Sequence, residues 1–235
     1  MLQQGSGVKW ETPFALKIKK MPAAIASGDS CLDGGGGYSI KLSFWWHLAF
    51  PVKLVLRTLK YLPNNKDKKL ISINVLEFFT VIINYCAAVV VFETHVIMYD
   101  PHPIILNLTD NISALNWTMH ACKDFLIGRR LACFFCFLLI DSPLGNNFKW
   151  LSTVENKMTD DILRQKLQYR ASPSDPLVFD YSSLKLKFSE LKTCCFFQPD
   201  PELILLIWDI VLNERWPTLS EVKVLKQQGL GKLTT

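Results

Sequence analysis

The sequence predicts an α/β protein, a mixed sheet of about five strands with helices on both faces. Three observations carry this. Stretches with strand character come first in the chain, and long apolar stretches of helical character then alternate with further strands. A break bearing Pro and Ser, "ASPSDP" (171–176), sets off a helical C-terminal part.

The 235 residues suit one domain plus an appendage, or two small domains. Residues 1–20 form an irregular basic lead-in ending in "KIKK", 21–168 the sheet domain, and 169–235 a helical C-terminal extension expected to pack loosely against it. No internal repeat is apparent.

Taken in order, "MPAAIASGD" (21–29) reads as a short buried strand and "DGGGG" (33–37) as a turn. "YSIKLSFWWHL" (38–48) alternates as a second strand does. "PNNKDKK" (63–69) is a solvated loop, and "SINVLEFFTVIINYCAAVVVF" (72–92) is apolar on all sides, as in a helix packed all round. "PIILNLTD" (103–110) is a strand, followed by helices over 111–127 and 129–140. "NFKWLSTV" (147–154) is a further strand and "ENKMTDDILRQKL" (155–167) a short amphipathic helix. In the extension, "DPELILLIWDIVLNERW" opens a helix with an acid and a proline in the expected order.

With 49% hydrophobic residues the chain can bury a sizeable core, which excludes a disordered tail. The net charge of +5 permits a nucleic-acid partner without arguing for one. The N-terminal "MLQQGSGVKWETP" has no apolar core of a signal peptide. The uncharged run 78–92 is shorter than the roughly 20 residues of a membrane span and holds Asn84, so a buried helix is expected and no membrane partner. Of the seven cysteines, Cys86, Cys133 and Cys136 sit inside apolar stretches, where a thiol behaves as a small buried hydrophobe. "CFFC" (133–136) has zinc-knuckle spacing but no second ligand pair, which suits a core helix better than a metal site. Reduced thiols imply an intracellular protein of cytoplasm or nucleus. The three N-x-[ST] triplets at Asn107, Asn111 and Asn116 are then chance.

Four acids need explaining. Glu77 is the only charged side chain between Lys69 and Glu93. It either points to water from one exposed helix edge, or it has a partner or a metal, because an unpaired buried carboxylate costs several kcal/mol. Asp110 either caps the following helix or leaves the end of a strand as a ligand. Asp160 with Arg164 has the i, i+4 spacing of an ordinary surface pair, and Asp29 suits a turn. The glycines beside Asp29 make no phosphate-binding loop, since no Lys-Ser/Thr follows them.

In order and setting these acids resemble those of the ribonuclease H family, in particular the domain that follows reverse transcriptase in gypsy-type and DIRS-type retroelements. "SGDSCLDGGGGYS" resembles the first strand and glycine turn, with Asp29 at the catalytic Asp. "NVLEFFTVI" resembles the first helix, with Glu77 at its Glu. "LNLTDNISALNW" resembles the strand-to-helix junction, with Asp110 at its Asp. "WLSTVENKMTDDILR" resembles the closing PGxxNxxADxLSR pattern, with Asp160 and Arg164 at its Asp and Arg. The likeness covers about residues 21–168. It departs from the family at Thr159 for Ala, at Leu163 for Ser, in the missing Pro-Gly turn, and at Trp150, where many members carry a His.

The resemblance implies that Asp29, Glu77, Asp110 and Asp160 are catalytic and metal-binding. Like charges so close demand neutralising cations, and two Mg²⁺ (Mn²⁺ as substitute) would hydrolyse the RNA strand of an RNA–DNA hybrid. "KIKK", "NNKDKK", Arg129 and Arg130 are candidate phosphate contacts, or else solvated faces. No Y-x-D-D polymerase motif is present, so the chain reads as a detached piece of a retrotransposon polyprotein, whose reverse transcriptase domain is a candidate partner. The alternatives are a catalytically inactive remnant serving as a scaffold or nucleic-acid-binding module, and a membrane-associated protein.

Overall fold

The computed structural model describes residues 21–59, 71–94, 103–119, 125–165 and 180–234. The lead-in and the 63–69 loop, with their basic clusters, lie outside the described residues. The chain opens with strands β1 (Ala24–Ser30), β2 (Gly34–Ser39) and β3 (Phe44–Ala49), paired as an antiparallel meander. Helices α1 (Val52–Leu59) and α2 (Ile73–Thr94) follow, then β4 (Ile104–Thr109), α3 (Ile112–Met119), α4 (Leu126–Leu139), β5 (Gly145–Trp150) and α5 (Lys157–Leu163). The C-terminal part holds α6 (Ser182–Lys187), a 3-10 turn (Ser189–Lys192), β6 (Cys195–Pro199), α7 (Pro201–Leu212), α8 (Leu219–Gln228) and β7 (Gly231–Thr234).

Among the described residues the strands form one mixed sheet of seven, in the order β5-β4-β1-β2-β3-β6-β7. β4 runs parallel to β1 and β5 parallel to β4, while β6 is parallel to β3 and β7 antiparallel to β6. The sheet is therefore larger than the five strands expected, and the C-terminal part is not purely helical. The segment "CFFQP" extends the sheet beyond β3, and "GKLT" closes its edge.

The glycine run is itself a strand, not a turn; the β1–β2 turn lies just before it, at Cys31–Asp33, and the β2–β3 turn lies between Ser39 and Phe44. Glycine is poor in strands because it brings no side chain to pack. Here that lack is what the packing needs. A Cβ on Gly36 would lie 2.7 Å from Ile162 Cγ2 of α5, and one on Gly37 would lie 2.7 Å from Trp46 Nε1, on the face that α2 covers. Successive strand residues face opposite sides, so β2 is thinned on both sides to let two helices approach.

Helix α2 has the length and apolar character of a membrane span, yet it is the central core helix. Its residues from Val75 to Val91 are all buried, between the sheet on one side and α3 and α4 on the other. Its few polar side chains form a stripe at i, i+3 and i+7 (Glu77, Thr80, Asn84) turned toward β1 and β2. Asn84, only 1% exposed, accepts from Trp46 Nε1 at 2.7 Å.

The C-terminal helices share this core. Asp200 caps α7 by accepting from the Glu202 N–H at 2.8 Å, with Pro201 at the first helical position. Leu203, Ile207, Ile210 and Val211 of α7 are fully buried, and Trp208 stacks on Phe79 of α2 at 4.7 Å. Arg130 of α4 is buried against Glu214, just past α7, and lies over the Trp216 ring. Such a residue is a packing element; Arg130 is not a phosphate contact. Arg129, its neighbour, is exposed. On the opposite face α5, α6 and Trp45 enclose a second, smaller cluster.

Candidate metal centre

The parallel pairing of β1 and β4 sets the site. Ser27 lies opposite Leu108 in that register. Two residues further on each strand come Asp29, near the end of β1, and Asp110, just past the end of β4. Glu77 enters from the first turns of α2. One carboxylate oxygen from each of Asp29, Glu77 and Asp110 lies within 4.8 Å of the others.

Asp110 is free to take part because its neighbour does the capping. The Asn111 side chain accepts from the Ala114 N–H at 2.9 Å and so starts α3, while its amide donates to Asn74 Oδ1 of α2 at 3.0 Å. Asp110 itself is held from the β5 side. Thr153 Oγ1 donates to its Oδ2 at 3.0 Å, and Trp150 Nε1 donates to its backbone carbonyl at 3.1 Å. Asp29 accepts the Ser30 N–H at 2.7 Å. Nothing in the sequence marked Thr153 or Ser30 as supports.

The three acids could hold a cation. Glu77 is 5% and Asp29 8% exposed, and no protein donor reaches Glu77 Oε2. Burial, then the nearby Asp29 charge, push the Glu77 carboxyl well above its ordinary value. Burial, then the Asp110 charge, raise Asp29 to about 6. Among the described residues no Lys or Arg forms an ion pair with any of the three. Two buried carboxylates and one half-buried, none of them in an ion pair among the described residues, suit a hard divalent ion.

Asp160 does not join the three. Its carboxylate accepts from Arg164 Nε at 2.7 Å, the i, i+4 pair that the spacing allows, although its charge still acts on Asp29. Asp161, one step round the helix, pairs with Lys187 instead. α5 is tied to β1 by a buried knot. Ser27 and Thr159 both donate to Asn156 Oδ1, each at 2.6 Å, and Thr159 also donates to Ser27 Oγ at 3.1 Å. Thr159, a departure from the family pattern, is thus fully buried and bonded. No family model, curated protein or solved structure matches this chain. The site has to be read from its own geometry.

Other candidates resolve as packing. His47 is buried beside Tyr181, and burial lowers its imidazole to about 4. The cysteines of "CFFC" lie on α4 with their thiols raised by burial, and among the described residues they join no ligand group.

Proposed function

We propose that this chain is a retroelement-derived ribonuclease H-like protein, which hydrolyses the RNA strand of RNA–DNA hybrids with bound divalent ions. The observation that carries the reading is the meeting of Asp29, Glu77 and Asp110 within 4.8 Å, each on the element that the sequence resemblance assigns to it. The contiguous block β5-β4-β1-β2-β3, flanked by α2 and α5 on opposite faces, is further support for a ribonuclease H-like core.

Three carboxylates with one unpartnered oxygen favour Mg²⁺ or Mn²⁺ over softer ions. Such ions, when bound, supply an activated water and stabilise the departing oxygen of an in-line phosphodiester displacement. The protein groups do the positioning. Asp29, Glu77 and Asp110 would hold the cations, and Thr153 fixes the Asp110 carboxylate by donating to Oδ2. An RNA strand is told from DNA by its 2′-hydroxyls. The Trp150 side chain, half exposed beside Asp110, has no proton to exchange near neutral pH, so proton transfer falls to solvent and turnover is slow. On this reading the protein works inside the cell, in cytoplasm or nucleus, and a reverse transcriptase domain is its natural partner.

The test is cleavage of a labelled hybrid by the purified protein with and without Mg²⁺ or Mn²⁺. Cleavage should require the metal, and Asp110→Asn should abolish it while leaving the fold intact. Equal cleavage by the wild type and Asp110→Asn would point to a contaminating nuclease. A second reading, an inactive remnant kept as a scaffold or nucleic-acid-binding module, is favoured by the pairing of Asp160 with Arg164. Metal binding without cleavage would select it.

A further inference from the structure

Arg164 stands where the charge balance of the site is decided. It follows α5, its side chain is 67% exposed, and its Nε donates to Asp160 Oδ1 at 2.7 Å. Its helix is anchored beside the acid cluster, since Thr159 Oγ1 donates to Ser27 Oγ two residues before Asp29 on β1, and the Asp29 charge acts on its guanidinium. The buried side of that cluster is different in kind, because Glu77 Oε2 has no protein donor and no cation among the described residues pairs with the triad. The two sides therefore offer a divalent ion different terms. On the buried side Glu77 Oε2 has no partner, whereas Asp160 is already paired with a positive charge.

We propose that the centre is asymmetric at rest: Asp29, Glu77 and Asp110 take one divalent ion, and Arg164 occupies Asp160 as the counter-charge, so that a second ion enters only by displacing the guanidinium. This rests on the metal-site reading above and adds to it a positioning role for Arg164. The displacement is inexpensive. An exposed i, i+4 pair is weak, and its loss together with removal of one repelling charge should change second-ion affinity by roughly three- to tenfold.

The experiment is Mn²⁺ titration of the full chain, followed by the electron paramagnetic resonance signal of free Mn²⁺, for the wild type, Arg164→Gln, Asp160→Asn and Glu77→Gln. The wild type should bind one ion tightly and a second weakly. Arg164→Gln should tighten the second ion about three- to tenfold and leave the first unchanged. Asp160→Asn should weaken only the second, and Glu77→Gln should lose the first. Two equivalent ions in the wild type, or a second ion indifferent to Arg164→Gln, would overturn the asymmetric centre while leaving the metal site standing. No bound ion in the wild type, or a first ion untouched by Glu77→Gln, would overturn the metal site and this proposal with it. Arg164→Lys keeps the charge but not the planar fork, and should stay close to the wild type if charge is what matters.

Discussion

Glu77 and Asp29 each bring a carboxylate oxygen within 4.8 Å of the other, and burial holds both carboxyls above their ordinary range. Both groups hold protons in the folded chain at pH values where the unfolded chain has released them. The sign follows from linkage: stability is greatest below the ordinary carboxylate range and falls as pH rises from about 4 through about 6, where Asp29 ionises. For Asp29 alone, a rise from 3.8 to about 6 amounts to about 3 kcal/mol of stability lost by pH 7. Urea unfolding in chelator across pH 4–8 should show this decline, and Asp29→Asn should flatten it. Equal slopes for the two proteins would mean that Asp29 titrates normally.

Divalent cations should reverse that penalty. At a hundredfold excess over its dissociation constant, a bound ion adds about 2.7 kcal/mol. Thermal melts at pH 7.5 should therefore rise with Mg²⁺ or Mn²⁺ for the wild type. Glu77→Gln should melt higher than the wild type without metal and respond to neither ion. A metal response retained in Glu77→Gln would remove Glu77 from the site.

Gly37→Ala should be severe for so small a change. The added methyl would lie 2.8 Å from the Ser27 carbonyl and 2.7 Å from Trp46 Nε1, against the buried Asn84–Trp46 hydrogen bond. Overpacking and a lost buried bond together cost about 2–4 kcal/mol. Denaturant midpoints measure it; a loss under about 0.5 kcal/mol would show that α2 yields easily.

A chain ending at Leu167 should not fold. It would lose β6, β7 and the buried face of α7, and uncover Phe79 and Phe50, both of which pack on Trp208. Dye binding to exposed apolar surface and loss of the near-ultraviolet circular dichroism are the expected signs. A soluble fragment with native aromatic signals would show that the sheet stands without its C-terminal strands.

Much of the site was legible because its signals are local. A lone acid in an apolar helix, as at Glu77, and an acid ending an apolar strand, as at Asp110, are both visible in the sequence. What could not be read is long-range. Gly34 to Gly37 look like a turn until α2 and α5 are known to press on both faces of the strand. β6 and β7 are five and four residues long, too short for periodicity to distinguish, and their pairing joins Phe44 to Cys195 and Phe196 to Thr234 across long stretches of chain. The family pattern puts Asp160 with the other acids, while its i, i+4 spacing to Arg164 offers the surface pair that the structure shows.

The bond from Asn111 to Asn74 has a consequence for cellular routing. Of the three triplets that could carry sugar, Asn107 is fully buried and donates to Asn146 at 2.7 Å, and Asn111 has both ends of its amide engaged. Of the three only Asn116 is exposed. Oligosaccharide is attached to asparagine while a chain is still unfolded, so a glycan placed on Asn107 would keep β4 from closing on β5. Forced through a secretory route with an added leader, the protein should accumulate as glycosylated, misfolded material. Replacing Ser and Thr at 109 and 113 by Ala would then separate failure caused by sugar from failure of the fold itself.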